Sequence, residues 1–207
     1  MLRGMSGRLS EKEKLYLQEM YDISVRNYRL ISTLLDVSRI ERKVISVNLS
    51  SFNINKIIDI VIKDYGEMIR QKSLTLNVIS KNKNIFIHGD KDKLVEALSN
   101  IIDNAVIYTE KGSITITAEY DKDFGIIEVK DTGIGIKKEL QNKLFQKDQI
   151  FYGGPSTKSG CGLGLYIARE FLKLQNGNIY LESTGKNGSC FKIKIPLSKS
   201  NKGDIYE

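Results

Sequence analysis

Apolar residues recur along this chain in two periods, and the switches between them mark the elements. From Ser10 to about Arg42, Leu17, Met20, Ile23, Leu30, Ile31, Leu34 and Val37 recur at threes and fours, interrupted by Asn27. That spacing predicts one long helix. Ser10 is its expected N-cap, with Glu13 at the reciprocal capping-box position. So regular a stripe needs a partner helix, in the same chain or another. Residues 44–48 read as a linker or an edge strand. A second helix starts near Asn53, with Ile54, Ile57, Ile58, Val61, Ile62, Tyr65, Met68 and Ile69 as its buried face. Leu74, Leu76 and Val78 alternate as a strand, and Ile85 and Ile87 mark another. Residues 90–108 read as a helix. Residues 113–120 and 124–130 read as a strand pair around a polar turn at Asp121. Gly153, Gly154, Pro155, Ser156, Ser159 and Gly160 give 145–160 the composition of a mobile loop. A helix over 162–175, strands over 178–183 and 189–197, and a frayed polar tail complete the chain. The simplest fold class is α+β, a two-layer α/β sandwich: a mixed, largely antiparallel sheet with helices on one face, preceded by the long helix.

Composition narrows the function classes. At 207 residues there is room for one full domain plus an accessory element. A hydrophobic content of 41% with 28% charged residues describes a soluble globular protein. No apolar run approaches the ~20 residues that cross a bilayer, and the N-terminus lacks a signal-peptide pattern. Two distant cysteines without metal-ligand neighbours fit a reducing compartment and a cytoplasmic location. The net charge of +7 comes from scattered lysines without interleaved aromatics, so an ordinary solvated surface is expected, not a nucleic-acid interface.

Three stretches carry candidate chemistry. Asp131-Thr132-Gly133-Ile134-Gly135-Ile136 follows the strand ending at Lys130. A carboxylate at a strand end can accept from an exocyclic amine such as adenine's, and the glycines allow a tight turn beside a flat ligand. A plain glycine turn gives the same pattern. Asn100 and Asn104 lie four apart, hence on one helix face, among Leu98, Ile101, Ile102 and Ala105. Asn is a poor helix former, so a polar task is favoured over two solvated amides. The Asn104 amide oxygen suits Mg²⁺, which keeps waters and takes further oxygens from phosphates. Gly162-Leu163-Gly164-Leu165 opens a helix, where free amides and the helix dipole favour anions; a hinge without ligand is the plain alternative.

In order and spacing these stretches resemble the N, G1 and G2 boxes of the sensor histidine kinases, with their Bergerat-type ATP-binding fold. The resemblance implies ATP and Mg²⁺ as cofactors, with Asp131 on adenine, Asn104 on magnesium and Asn100 beside the triphosphate. Tyr108, Gly133, Gly135 and Ile136 would line the nucleotide, and Gly160, Gly162, Leu163, Gly164 and Leu165 would hold its phosphates. Phe145, in Lys143-Leu144-Phe145, resembles the F box at the root of a lid, and Lys158 is a candidate phosphate-facing cation. Related hydrolysing ATPases place a glutamate base where Asn100 stands; an amide takes no proton at neutral pH, which points to phosphotransfer.

The resemblance also sets domain boundaries. Residues 1–43 would be part of a dimerisation and phosphotransfer hairpin without its phosphoacceptor helix. The ATP-binding domain would span 44–198, with a tail over 199–207. The lone histidine, His88, precedes Gly89 at a strand-to-helix turn and reads as structural. The phosphoacceptor hairpin would therefore act in trans or on a missing N-terminal part. A response regulator is the implied downstream partner, a homodimer through 10–42 the implied assembly, and a membrane would enter only through a missing sensor part. Two departures stand out: Ile107 occupies the place of a usual phosphate-binding lysine, and Cys161 sits between glycines, where filling a small space is its simplest role. Two alternatives stay open, an anti-sigma-like protein-serine kinase and a nucleotide-binding scaffold without catalysis.

Overall fold

A computed structural model describes residues 9–147 and 162–199. Helix α1 spans Glu11–Glu41, and its capping box forms: the Glu13 N–H donates to Ser10 Oγ while Glu13 accepts from the Ser10 N–H. Strand β1 (Ser50–Asn53) leads into helix α2 (Ile54–Gln71), capped by Asn53. Strands β2 (Thr75–Ser80) and β3 (Phe86–Gly89) precede helix α3 (Lys91–Tyr108), whose first amides are capped by Asp90. Strands β4 (Ser113–Tyr120) and β5 (Phe124–Asp131) form a hairpin. A single-turn helix α4 (Lys138–Gln141), helix α5 (Gly164–Lys173) and strands β6 (Asn178–Gly185) and β7 (Gly188–Pro196) follow.

The main sheet runs β2-β4-β5-β7-β6; only the β2–β4 pair is parallel. Strand β1 pairs with β3 in a separate ribbon. Alternation sends Ile114, Ile116, Ile127, Val129, Ile193 and Ile195 to one face, where α2, α3 and α5 bury Ile57, Val61, Leu98, Ile101 and Leu172 against them. Each such side chain removed from water contributes about 1.5–3 kcal/mol. The opposite face is polar, with Lys192 bridging Glu128 and Glu182 at 2.9 Å each. The α+β sandwich with helices on one face and a long leading helix is thus the observed architecture.

Residues 44–48 form the linker and no edge strand; the first strand is β1, four residues whose pairing with β3 comes from tertiary contact, not from alternation. Two local expectations change. Met68 is exposed: it shares the face of buried Val61 but lies in the last turn of α2. Helix α5 begins at Gly164 and ends at Lys173, with Asn176 turning through a positive φ of 57°. On α1, Met20, Ile23, Ile31 and Leu34 are exposed, while Val37 is buried against α5.

Candidate functional site

The site is built where β5 ends, α3 ends and α5 begins. Buried to 6% exposure, Asp131 accepts from the Gly133 N–H at 2.8 Å and the Ser189 N–H at 3.2 Å. Both bonds fall on Oδ1, so Oδ2 keeps acceptor capacity for an outside amine. Burial pushes the Asp131 carboxyl above its ordinary 3.8, and the backbone N–H donors pull it back. The turn beyond it is pinned to α3: the Ile134 N–H donates to the Tyr108 carbonyl at 3.2 Å. Gly135 has φ +70°, and a Cβ there would stand 1.9 Å from the Gly185 carbonyl oxygen. Only glycine closes this turn, and the protein's own backbone imposes the need. The Ile136 N–H donates to Thr184 Oγ1 at 2.8 Å, and Thr184 shares a 2.9 Å hydrogen bond with the Ser189 hydroxyl.

One helix face presents half-buried Asn100 and Asn104 and, at its end, exposed Tyr108. A Cβ on Gly164 would lie 2.8 Å from Asn100 Oδ1, so the start of α5 sits directly on that amide. Helices α1, α2 and α3 each have a side-chain cap, whereas among the described residues none caps α5: its N-cap is Leu163, and its first turn holds no acidic residue. Amides without a cap at the positive end of a helix dipole attract an anion. The side chains of Leu163 and Leu165 are buried, so what these residues offer a ligand is backbone.

Phe145 meets Phe191 edge to face at 6.4 Å, and the Arg169 guanidinium lies 5.6 Å over its ring. Lys158, Gly160 and Cys161 lie outside the described residues. Ile107 is half-buried on α3. His88 is exposed on β3, opposite Ser51, on a ribbon and not a helix. Among the described residues no group of three His, Cys, Asp or Glu side chains forms a metal cage. Sequence reasoning missed Ser189 and Thr184 of the β6–β7 hairpin: the Ser189 N–H, 58 residues beyond Asp131, donates to that carboxylate, and the Thr184 hydroxyl accepts from the Ile136 N–H, and neither gives a local signal.

Residues 89–199 match the family model described as histidine kinase-, DNA gyrase B- and HSP90-like ATPase. The chain belongs to this family. It is 30% identical over 200 residues to the circadian input-output histidine kinase CikA of Synechococcus elongatus, covering 95% of this chain and 26% of that protein. The catalytic domain of histidine kinase ThkA, solved nucleotide-free, superposes with a TM-score of 0.65 at 29% identity, covering 72% of this chain and 96% of that one. ThkA is also solved in complex with the response regulator protein TrrA, at TM-score 0.70 and 24% identity over 95% of this chain and 55% of ThkA. Full-length ShkA in complex with AMPPNP has the same fold, at TM-score 0.75 and 20% identity over 94% of this chain and 41% of ShkA. The fold is therefore that of the histidine kinase ATP-binding domain, and the chain spans about a quarter of CikA's length.

Proposed function

We propose that this chain is the ATP-binding catalytic part of a sensor histidine kinase, joined to one helix of its dimerisation hairpin. It binds ATP with Asp131 accepting from the adenine amine and the start of α5 facing the phosphates. Asn104 would hold Mg²⁺ through its amide oxygen, a hard donor of the kind that ion takes. The ion would supply charge neutralisation on the phosphates. Asn100 holds the start of α5 in register and, lacking a basic atom, leaves water unactivated. The γ-phosphoryl passes from ATP to an imidazole nitrogen outside this chain: the bond to the β-phosphate oxygen breaks, a P–N bond forms, ADP leaves, and the imidazole proton goes to solvent. An aspartate of a response regulator then takes the phosphoryl group. A cytoplasmic setting and a homodimer through 10–42 belong to the same reading.

The observation that carries it is the pairing of a buried, backbone-held carboxylate with an uncapped helix start seated on Asn100. The test is a titration with a non-hydrolysable ATP analogue, with and without Mg²⁺, followed by a labelled-ATP assay with a supplied histidine-bearing hairpin. Magnesium-dependent binding that Asp131→Asn weakens roughly 30- to 150-fold, with label on the hairpin, supports the kinase. Binding without transfer favours the scaffold; no binding removes the site.

A further inference from the structure

Helices α3 and α5 pack against one another, and a polar contact at each end of the pair sets how they lie. At the site end Gly164 rests on the Asn100 amide, which a Cβ would meet at 2.8 Å. At the far end stands Gln175, 1% exposed, in the turn that follows α5. A buried amide is costly unless both its oxygen and its nitrogen are paired. Here the oxygen accepts from the Asp90 N–H at 2.9 Å, and the nitrogen donates to the Phe171 carbonyl at 3.0 Å. Gly89 makes room for the first of these bonds: a Cβ there would stand 2.5 Å from Gln175 Oε1. The Asp90 carboxylate is already occupied. One oxygen accepts from the N–H groups of Asp92 and Lys93, the other from the Asn48 N–H at 2.7 Å. The start of α3, the linker and the end of α5 thus meet in one buried polar network, and such a network is rigid when its members are paired.

We infer that Gln175 is a positioning residue: its bond to Asp90 fixes where the start of α5 sits on Asn100. From Gln175 to Gly164, and from Asp90 to Asn100, the run along each helix is about 15 Å at ~1.5 Å per residue, so the two contacts span the same length of the pair. Between them lie Ala97, Leu98, Ala168 and Leu172, apolar side chains of the common core. Apolar contact is non-directional and lets one helix slide on another. A hydrogen bond, with its narrow range of length and angle, does not. The Gln175–Asp90 bond therefore sets the axial register of α5 on α3, and with it the height at which the amides after Leu163 meet a ligand. The inference rests on the reading of that helix start as the phosphate-facing turn. Asp131 takes its bonds from Gly133 and Ser189, so the carboxylate end of the site does not depend on this register.

The experiment compares two ligands on the whole chain, well below each variant's unfolding midpoint: a non-hydrolysable ATP analogue with Mg²⁺, and adenosine, which lacks phosphates. Gln175→Met keeps the bulk of the side chain and removes both polar ends. Gly89→Ala pushes Oε1 off the Asp90 N–H from the other side. Both are expected to weaken the analogue about three- to tenfold, the share of one or two displaced phosphate hydrogen bonds, with adenosine affinity held within about twofold. Ile116→Val, which trims a core side chain of β4, should move neither ligand. Amide hydrogen exchange without nucleotide is the second arm. In both variants segments 100–104 and 164–168 are expected to lose protection roughly threefold or more, with 113–131 unchanged. The inference is overturned if a folded variant binds the analogue as the unmodified protein does, or if analogue and adenosine weaken by the same factor. It is equally overturned if the loss of protection stays confined to 171–177. Should the unmodified protein bind neither ligand, the nucleotide reading is what fails, and the exchange arm alone decides the placement of α5. Should Gln175→Met not fold, Gly89→Ala decides on the same criteria.

Discussion

At the end of β5, Asp131, Ile134 and Ile136 are tied down by Gly133, Ser189, Tyr108 and Thr184, with no help from a ligand. At the start of α5, no side chain among the described residues caps the first amides, and the turn rests on Asn100 through a glycine contact. The first turn is finished by folding; the second is the one that, on the proposed function, an anion would finish. Polar pre-organisation around the carboxylate keeps it fixed before any ligand arrives, as selective recognition of one amine requires. An open helix start trades some stability for anion affinity. The same molecule thus spends its hydrogen bonds on the end that the proposed function gives to the base and leaves open the end it gives to the phosphates.

Substitutions should separate the two ends by what they damage. Gly135→Ala should do the most harm: the positive φ and the Gly185 carbonyl at 1.9 Å leave no room, so a loss of about 2–4 kcal/mol in denaturant unfolding is expected. Asp131→Asn should cost about 2–3 kcal/mol in analogue binding, roughly 30- to 150-fold by calorimetry, because a charged acceptor is lost. Its unfolding midpoint should hold or rise, since the buried carboxyl sits above 3.8 and its ionised form is a cost to the fold at neutral pH. By the same sign, analogue affinity should weaken as pH falls toward that raised value and the acceptor takes a proton. Gly164→Ala should reduce affinity by about 1–2 kcal/mol while leaving unfolding nearly unchanged, because the atom it meets ends a flexible side chain that can swing away. Equal stability losses in Gly135→Ala and Gly164→Ala would sink the contrast.

Much of this was legible in the chain. Ser10 with Glu13 announced α1, and the Ile-rich stripes of α2 and α3 announced the core they form, because periodicity reports which face is buried. Asp131 and Asn100 could be singled out because their residue types sit oddly in their elements. What stayed hidden depended on distant chain. Strand β1 exists through β3, the support from Ser189 crosses from another hairpin, and the direction of Leu163 is fixed by Val37 on a helix more than a hundred residues earlier. A glycine-leucine repeat advertises a turn near an anion; it says nothing of which leucine is an anchor.

That anchor has a mechanical meaning. Helix α1 is one unbroken rod over Glu11–Glu41, held by the molecule near Val37. From Val37 back to Glu11 its reach is about 39 Å at ~1.5 Å per residue, so a tilt of about 10° at the anchor sweeps the far end through roughly 7 Å. In the other direction the rod is a reduction gear: a coarse swing imposed on its far end arrives at Leu163 as a displacement small enough to adjust a backbone turn without unpacking the core beneath it.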